Sequence, residues 1–142
     1  MDLMRVRKLA PALIFASYGF AVVLSAQSSA ARADAATPKN PVKADATSIA
    51  AGKKLYASNC SPCHGESAQG DGKMASQFDP KPSNLTDAEW EHGSTDGAIF
   101  LVIRDGIKGT GMKGLGSKMT AHQLWDVVNY LRSLGPNPPR SH

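Results

Sequence analysis

Both cysteines of this 142-residue chain fall inside one pentapeptide, Cys60-Ser61-Pro62-Cys63-His64. The string is C-x-x-C-H, the attachment signature of a c-type haem. Two thiols three positions apart reach the two vinyl groups on one side of a porphyrin, and the adjacent imidazole reaches the iron from one face. Other uses of a cysteine pair fit less well. A structural zinc site takes four ligands, commonly from two such pairs, and there is no second pair. A thioredoxin-like centre needs a βαβ context that the pattern does not offer. A disulfide between residues three apart closes a tiny loop and stabilises little. A covalent haem also constrains the fold, because it supplies a large flat apolar body to a small core. That agrees with an aromatic content of only 6%.

The formal net charge of +4 would ordinarily suggest nucleic acid or an acidic membrane as partner. The position of the charges argues otherwise. Arg5, Arg7 and Lys8 precede an apolar run from Leu9 to Ala26, and small residues follow up to Ala31-Arg32-Ala33. A charged start, an apolar middle and an A-x-A exit describe a secretory signal peptide over residues 1–33. An uncleaved anchor is the competing reading, but Pro11, Ser17, Tyr18 and Gly19 dilute the run. Cleavage after Ala33 removes four of the sixteen basic residues and one of the twelve acidic ones, leaving a net charge of +1. Residues 34–47 are rich in Ala, Pro and Lys and read as a flexible linker. The folded unit is then 48–134, with a tail over 135–142.

His64 offers one axial bond to a haem iron, so a second ligand is expected downstream. The methionine candidates are Met74, Met112 and Met119, and the histidines are His92, His122 and His142. Met112 lies in Gly109-Thr110-Gly111-Met112-Lys113-Gly114-Leu115-Gly116. Glycines on both sides let backbone approach a porphyrin face without a Cβ in the way, and Met112 is the ligand the pattern favours. Met119 sits one residue before a helix and reads as a hydrophobic contact. Met74 reads as packed or exposed, His92 as a turn residue, His122 as solvent-facing and His142 as part of the tail. Gly109, Gly111 and Gly114 also spell G-x-G-x-x-G, but no helix opens at the third glycine and no acidic residue ends a following strand. Asp71-Gly72 reads as a turn, with too few carboxylates nearby for a calcium loop.

Three helices are legible. Ile49 to Asn59 carries Ile49, Gly52, Tyr56 and Asn59 about a turn apart and leads into the cysteine motif. Thr95 or Asp96 can cap a short helix over Gly97 to Arg104. Thr120-Ala121-His122-Gln123 is a capping box opening a helix from Ala121 to Leu134. Its stripe is Leu124, Val127, Val128, Leu131 and Leu134, flanked by Trp125 and Tyr130.

With these elements in place the chain resembles the class I cytochromes c. The similar features are Gly52 and Tyr56, the cysteine motif, Pro82-Ser83-Asn84-Leu85, the Met112 loop, and Trp125, Val127, Tyr130 and Leu131. The resemblance spans about 48–134. It implies an all-α cytochrome c fold, with three to five helices around one covalently bound haem c and crossing N- and C-terminal helices. It also implies that Gly52 meets Tyr130, that backbone around Pro82 accepts a hydrogen bond from His64, and that Trp90 and Trp125 line or support the pocket. Lys113 departs from the pattern, since many members carry proline directly after the ligating methionine.

Cys60, Cys63, His64 and Met112 are thus the expected cofactor-binding residues, with His64 and Met112 on the iron. Ligation by one histidine and one methionine raises the potential relative to bis-histidine ligation and leaves no open position. The expected role is a periplasmic one-electron carrier, or the haem subunit of a periplasmic dehydrogenase, rather than an enzyme. The expected partners are redox proteins: a dehydrogenase, a cytochrome complex, or a terminal oxidase or reductase. Lys108, Lys113 and Lys118 flank the Met112 loop, and Lys73 and Lys81 lie in the preceding loop; if they share a face, they steer an acidic partner. The alternative is a sensor or peroxide-reactive haem protein in which Met112 leaves the iron open.

Overall fold

The computed structural model describes residues 37–87 and 90–135. The expected signal peptide over 1–33, residues 34–36 and the tail from 136 to His142 lie outside the described residues. Among the described residues four α-helices follow in order: α1 Ala46–Asn59, α2 Ser61–His64, α3 Asp96–Asp105 and α4 Ala121–Ser133, with one 3-10 turn at Ala75–Gln77. Among the described residues the only β pairing is an isolated bridge between Gly106 and Lys113. This is the all-α arrangement expected.

Local chemistry sets the helix ends. The Asp45 carboxylate accepts from the amides of Thr47 at 3.1 Å and Ser48 at 3.0 Å, so α1 opens three residues before Ile49. Thr95, not Asp96, caps α3 by accepting from the Ala98 amide at 3.1 Å. The capping box of α4 is formed in both directions between Thr120 and Gln123. That helix ends at Ser133, one residue short of Leu134.

The expected helix crossing is present. α1 buries Ser48, Gly52 and Tyr56, spaced by one turn each, and packs chiefly against α4. A Cβ on Gly52 would stand 2.0 Å from the Asp126 carbonyl oxygen and 2.8 Å from Tyr130 Cβ. Beside this contact the rings of Tyr56 and Tyr130 pack tilted, 5.3 Å apart. Val127, Val128, Leu124 and Leu131 complete the core with Ile99, Ile103, Leu115 and Met119. Phe100 of α3 stacks on Trp125 of α4 at 4.1 Å.

A buried polar seam runs alongside. Ser48 Oγ donates to Asp126 Oδ1 at 2.6 Å, and Asn129 Nδ2 donates to Ser48 Oγ at 2.9 Å. The seam continues into the stretch that composition reads as a linker. Asn40 Nδ2 donates to Asn129 Oδ1 at 2.9 Å, and Asn129 Nδ2 reaches the Val42 carbonyl at 3.2 Å. Thr37 and Thr95 hydroxyls meet at 3.1 Å, and Val42 packs on the core. Residues 37–45 are therefore docked on α3 and α4, which corrects the reading of 34–47 as a flexible linker over its described part. Side-chain amides do the docking, and a composition poor in bulky apolar residues gives no sign of it.

Candidate haem site

The last turn of α1 delivers Cys60, and α2 carries Cys63 and His64 one turn further on. Pro62 stands in the first turn of α2, where its missing N–H costs nothing. Gly65, at φ +83°, ends that turn. The chain then folds back over the motif: Gly70 N–H donates to the His64 carbonyl at 2.8 Å and Gly72 N–H to the Cys63 carbonyl at 3.1 Å. The Tyr56 hydroxyl donates to the Gly65 carbonyl at 2.7 Å. The motif is thus held from both sides.

His64 Nδ1 lies 3.0 Å from the Ser83 carbonyl. The expectation named backbone around Pro82, and the acceptor is one residue later. Leu85 N–H donates to the Ala68 carbonyl at 2.7 Å and pins that acceptor segment. With Nδ1–H engaged, Nε2 is the nitrogen left for a metal. Burial lowers the His64 pKa, and the hydrogen bond to Ser83 acts in the opposite sense. Burial therefore favours the neutral imidazole, the form that ligates. Burial first, then the neighbouring Cys63, pushes the Cys60 thiol up to about 12.

The Met112 loop is a closed turn. Ile107 N–H donates to the Met112 carbonyl at 3.0 Å, and Met112 N–H donates to Thr110 Oγ1 at 3.1 Å. Downstream, Leu115 N–H donates to the Ile103 carbonyl at 2.9 Å. A Cβ on Gly111 would stand 2.2 Å from the Phe78 ring, so this glycine makes room for an aromatic side chain. Sequence reasoning missed Phe78. Its only signal was one aromatic residue in an otherwise polar loop.

Cys60, Cys63, His64 and Met112 line one cavity of about 680 Å³. Ile99, Ile103, Leu115, Val127 and Leu131 give it apolar walls. Cofactor sites commonly span ~300–1,000 Å³. Two thiols, an imidazole and a thioether facing one apolar space are the donors a haem c takes, and the residues fit it. The other candidates divide between those that reach this cavity and those that do not. Met119 is buried in the core and does not line the cavity. Met74 and His92 also line the cavity but are exposed, whereas His64 and Met112 are half-buried. His122 is exposed on α4, its Nε2 3.8 Å from Asp126 Oδ1. Trp90 lines the cavity, whereas Trp125 supports α3 through Phe100.

Fold and donors together define a class: a helical domain built to hold a haem through its own thiols. The chain belongs to the cytochrome c family, whose pattern it matches over residues 49–135. It is 33% identical over 101 residues to the cbb3-type cytochrome c oxidase subunit CcoP of Rubrivivax gelatinosus, covering 71% of this chain and 31% of that protein. A second relative is the FixP subunit of the same oxidase type from Bradyrhizobium sp. (strain ORS 278), 31% identical over 61% of this chain and 27% of that protein. The chain thus spans about a third or less of these relatives. Among solved structures it is similar to a chain of the reducing HAO-like protein complex of Kuenenia stuttgartiensis, with TM-score 0.62, 29% identity, and coverage of 67% of this chain and 47% of that one. Cytochrome CL of Methylophaga aminisulfidivorans matches with TM-score 0.53 and 25% identity, over 64% of this chain and 57% of its own. The protein is accordingly a c-type cytochrome.

Proposed function

We propose that this cytochrome is an exported, one-electron carrier holding a single haem c through Cys60 and Cys63, with His64 and Met112 as axial ligands. The observation that supports this most is the meeting of all four side chains on one apolar cavity. When bound, the haem supplies reversible one-electron exchange at iron. The chain does the rest. The Ser83 carbonyl fixes the His64 ring and its tautomer. The turn from Ile107 to Met112 holds the thioether in place. The aliphatic walls exclude water, and low dielectric disfavours the more highly charged oxidised site.

Export to the periplasm is supported by the signal-like pattern of residues 1–33. Redox proteins are the proposed partners, and the likeness to subunits of a terminal oxidase supports that class. The cavity border points to the partner's surface chemistry. Lys81, Lys113 and Lys118 are exposed there, with Lys73 and Lys108 exposed nearby in sequence. Asp87 and Glu91 share the border, so an acidic partner would meet a rim that is cationic in part.

The test is a reduced-minus-oxidised spectrum of wild type beside Met112→Ala, with the intact mass of each. A covalent haem in both, and loss of the low-spin signature with prompt carbon monoxide binding in the variant alone, is the expected result. Prompt carbon monoxide binding by reduced wild type would instead establish an open iron and overturn the carrier reading.

A further inference from the structure

Trp90 forms part of the cavity wall but belongs to no helix. Its indole Nε1–H donates to the Asp87 carbonyl at 3.2 Å, and Gly93 turns the chain at φ +96° just beyond it. This wall is tied to the body of the domain by Arg132 of α4. Arg132 Nε donates to Asp96 Oδ1 at 2.7 Å, and Nη2 donates to the Ser94 carbonyl. The guanidinium carbon lies 5.9 Å from the centre of the Trp90 ring, over its face. One side chain thus grips the Trp90 ring, the Ser94 backbone and the first residue of α3.

The burial is costly. The Arg132 side chain is only 2% exposed, and its Nη1 has no acceptor among the described residues. Replacing a buried ion pair by apolar groups is often neutral or stabilising, so stability alone is a poor reason to keep one. Arg132 does not line the cavity itself, whereas Trp90 does. We propose that Arg132 is a positioning residue that sets the reduction potential by holding Trp90 against the haem and keeping water out of that wall. The proposal rests on the haem reading above. A loosened wall wets the site and favours the oxidised iron.

The test is a double-mutant cycle in the holoprotein with Arg132→Gln, Trp90→Phe and the combination. Midpoint potential and tryptophan emission are read in each. Arg132→Gln is expected to move the equilibrium about tenfold toward the oxidised form, ~59 mV for a one-electron couple. Emission should rise as Trp90 leaves its quencher. In the Trp90→Phe background the same change should shift the potential no further. Arg132→Lys keeps the charge without the planar fork, and part of the shift should persist. Val128→Ala trims a fully buried residue away from the cavity wall and serves as the stability control. An unchanged potential in both Arg132 variants, or full additivity with Trp90→Phe, overturns the proposal. So does a lower melting temperature with the potential unmoved, as in the control. An intact mass without haem in wild type would sink the haem reading instead, so the two failures are distinguishable.

Discussion

At position 52 a side chain has nowhere to go. The methyl of Gly52→Ala would sit 2.0 Å from the Asp126 carbonyl oxygen, which is backbone and cannot turn aside. Alanine gains ~1 kcal/mol in helix propensity, but forcing two packed helices apart costs ~1–3 kcal/mol or more. The cost wins, and the melting temperature should fall by roughly 5–10 °C; calorimetry showing no fall would contradict the packing described. Tyr56 faces the same seam. Burial first, then Cys60, Tyr130 and Asp71, raises its pKa above that of an ordinary phenol. The folded state therefore keeps this proton at pH values where the unfolded chain loses it. Stability should be full below about pH 10 and fall as pH rises beyond it. Urea melts at about pH 9 and about pH 11 should show a shallower alkaline loss in Tyr56→Phe than in wild type; equal losses would remove Tyr56 from the account. Both residues were visible in the sequence because their spacing from the cysteine motif is helical and local. The acceptor for His64 was legible only to within one residue, because Ser83 and Pro82 differ by how the loop turns and not by any side-chain chemistry.

At the scale of elements, what was legible divides along the same line. The capping box of α4 and the cysteine turn are written in adjacent residues and form as expected. The docking of residues 37–45 is not local. Asn40 finds Asn129 across 89 positions, and neither residue's type announces the pairing. The start of α1 was misplaced for the same reason, since its cap, Asp45, lies in the stretch that composition assigns to a linker. Asn129 is fully buried and bonds to Asn40, Ser48 and the Val42 carbonyl. Asn129→Ala should leave these groups short of partners at a cost of roughly 2–3 kcal/mol. Hydrogen exchange should also quicken at the Val42 amide, which donates to Asn40 Oδ1 at 2.9 Å. A stability loss without faster exchange there would mean that Asn129 joins the helices but does not hold residues 37–45.

Over the whole molecule, the low aromatic content and the cavity have one explanation. The helices contribute aliphatic walls, and about 680 Å³ between them is left for a haem. Net charge was the less informative number, because most of it lies in residues 1–33. Residues 34–142 carry a net charge of +1, so long-range attraction by this part of the chain must come from the distribution of its charges and not from their total. Lys81, Lys113 and Lys118 border the cavity, but so do Asp87 and Glu91. The lysines attract an acidic partner and the carboxylates oppose it, so the field at the rim is the balance of the two. Salt screens such a field within ~10 Å at about 0.1 M. The second-order rate of electron transfer to an acidic redox protein should therefore fall several-fold from low salt to about 0.15 M. Lys113→Glu with Lys118→Glu should flatten or invert that slope, while the optical spectrum, set by the iron ligands, stays as in wild type. Lys113 Nζ also donates to the Thr110 carbonyl at 3.2 Å, within the loop that carries Met112. The spectrum therefore decides whether the substitution has acted on the rim alone. An intact spectrum with an unaltered salt slope would show that the lysine rim does not steer the encounter.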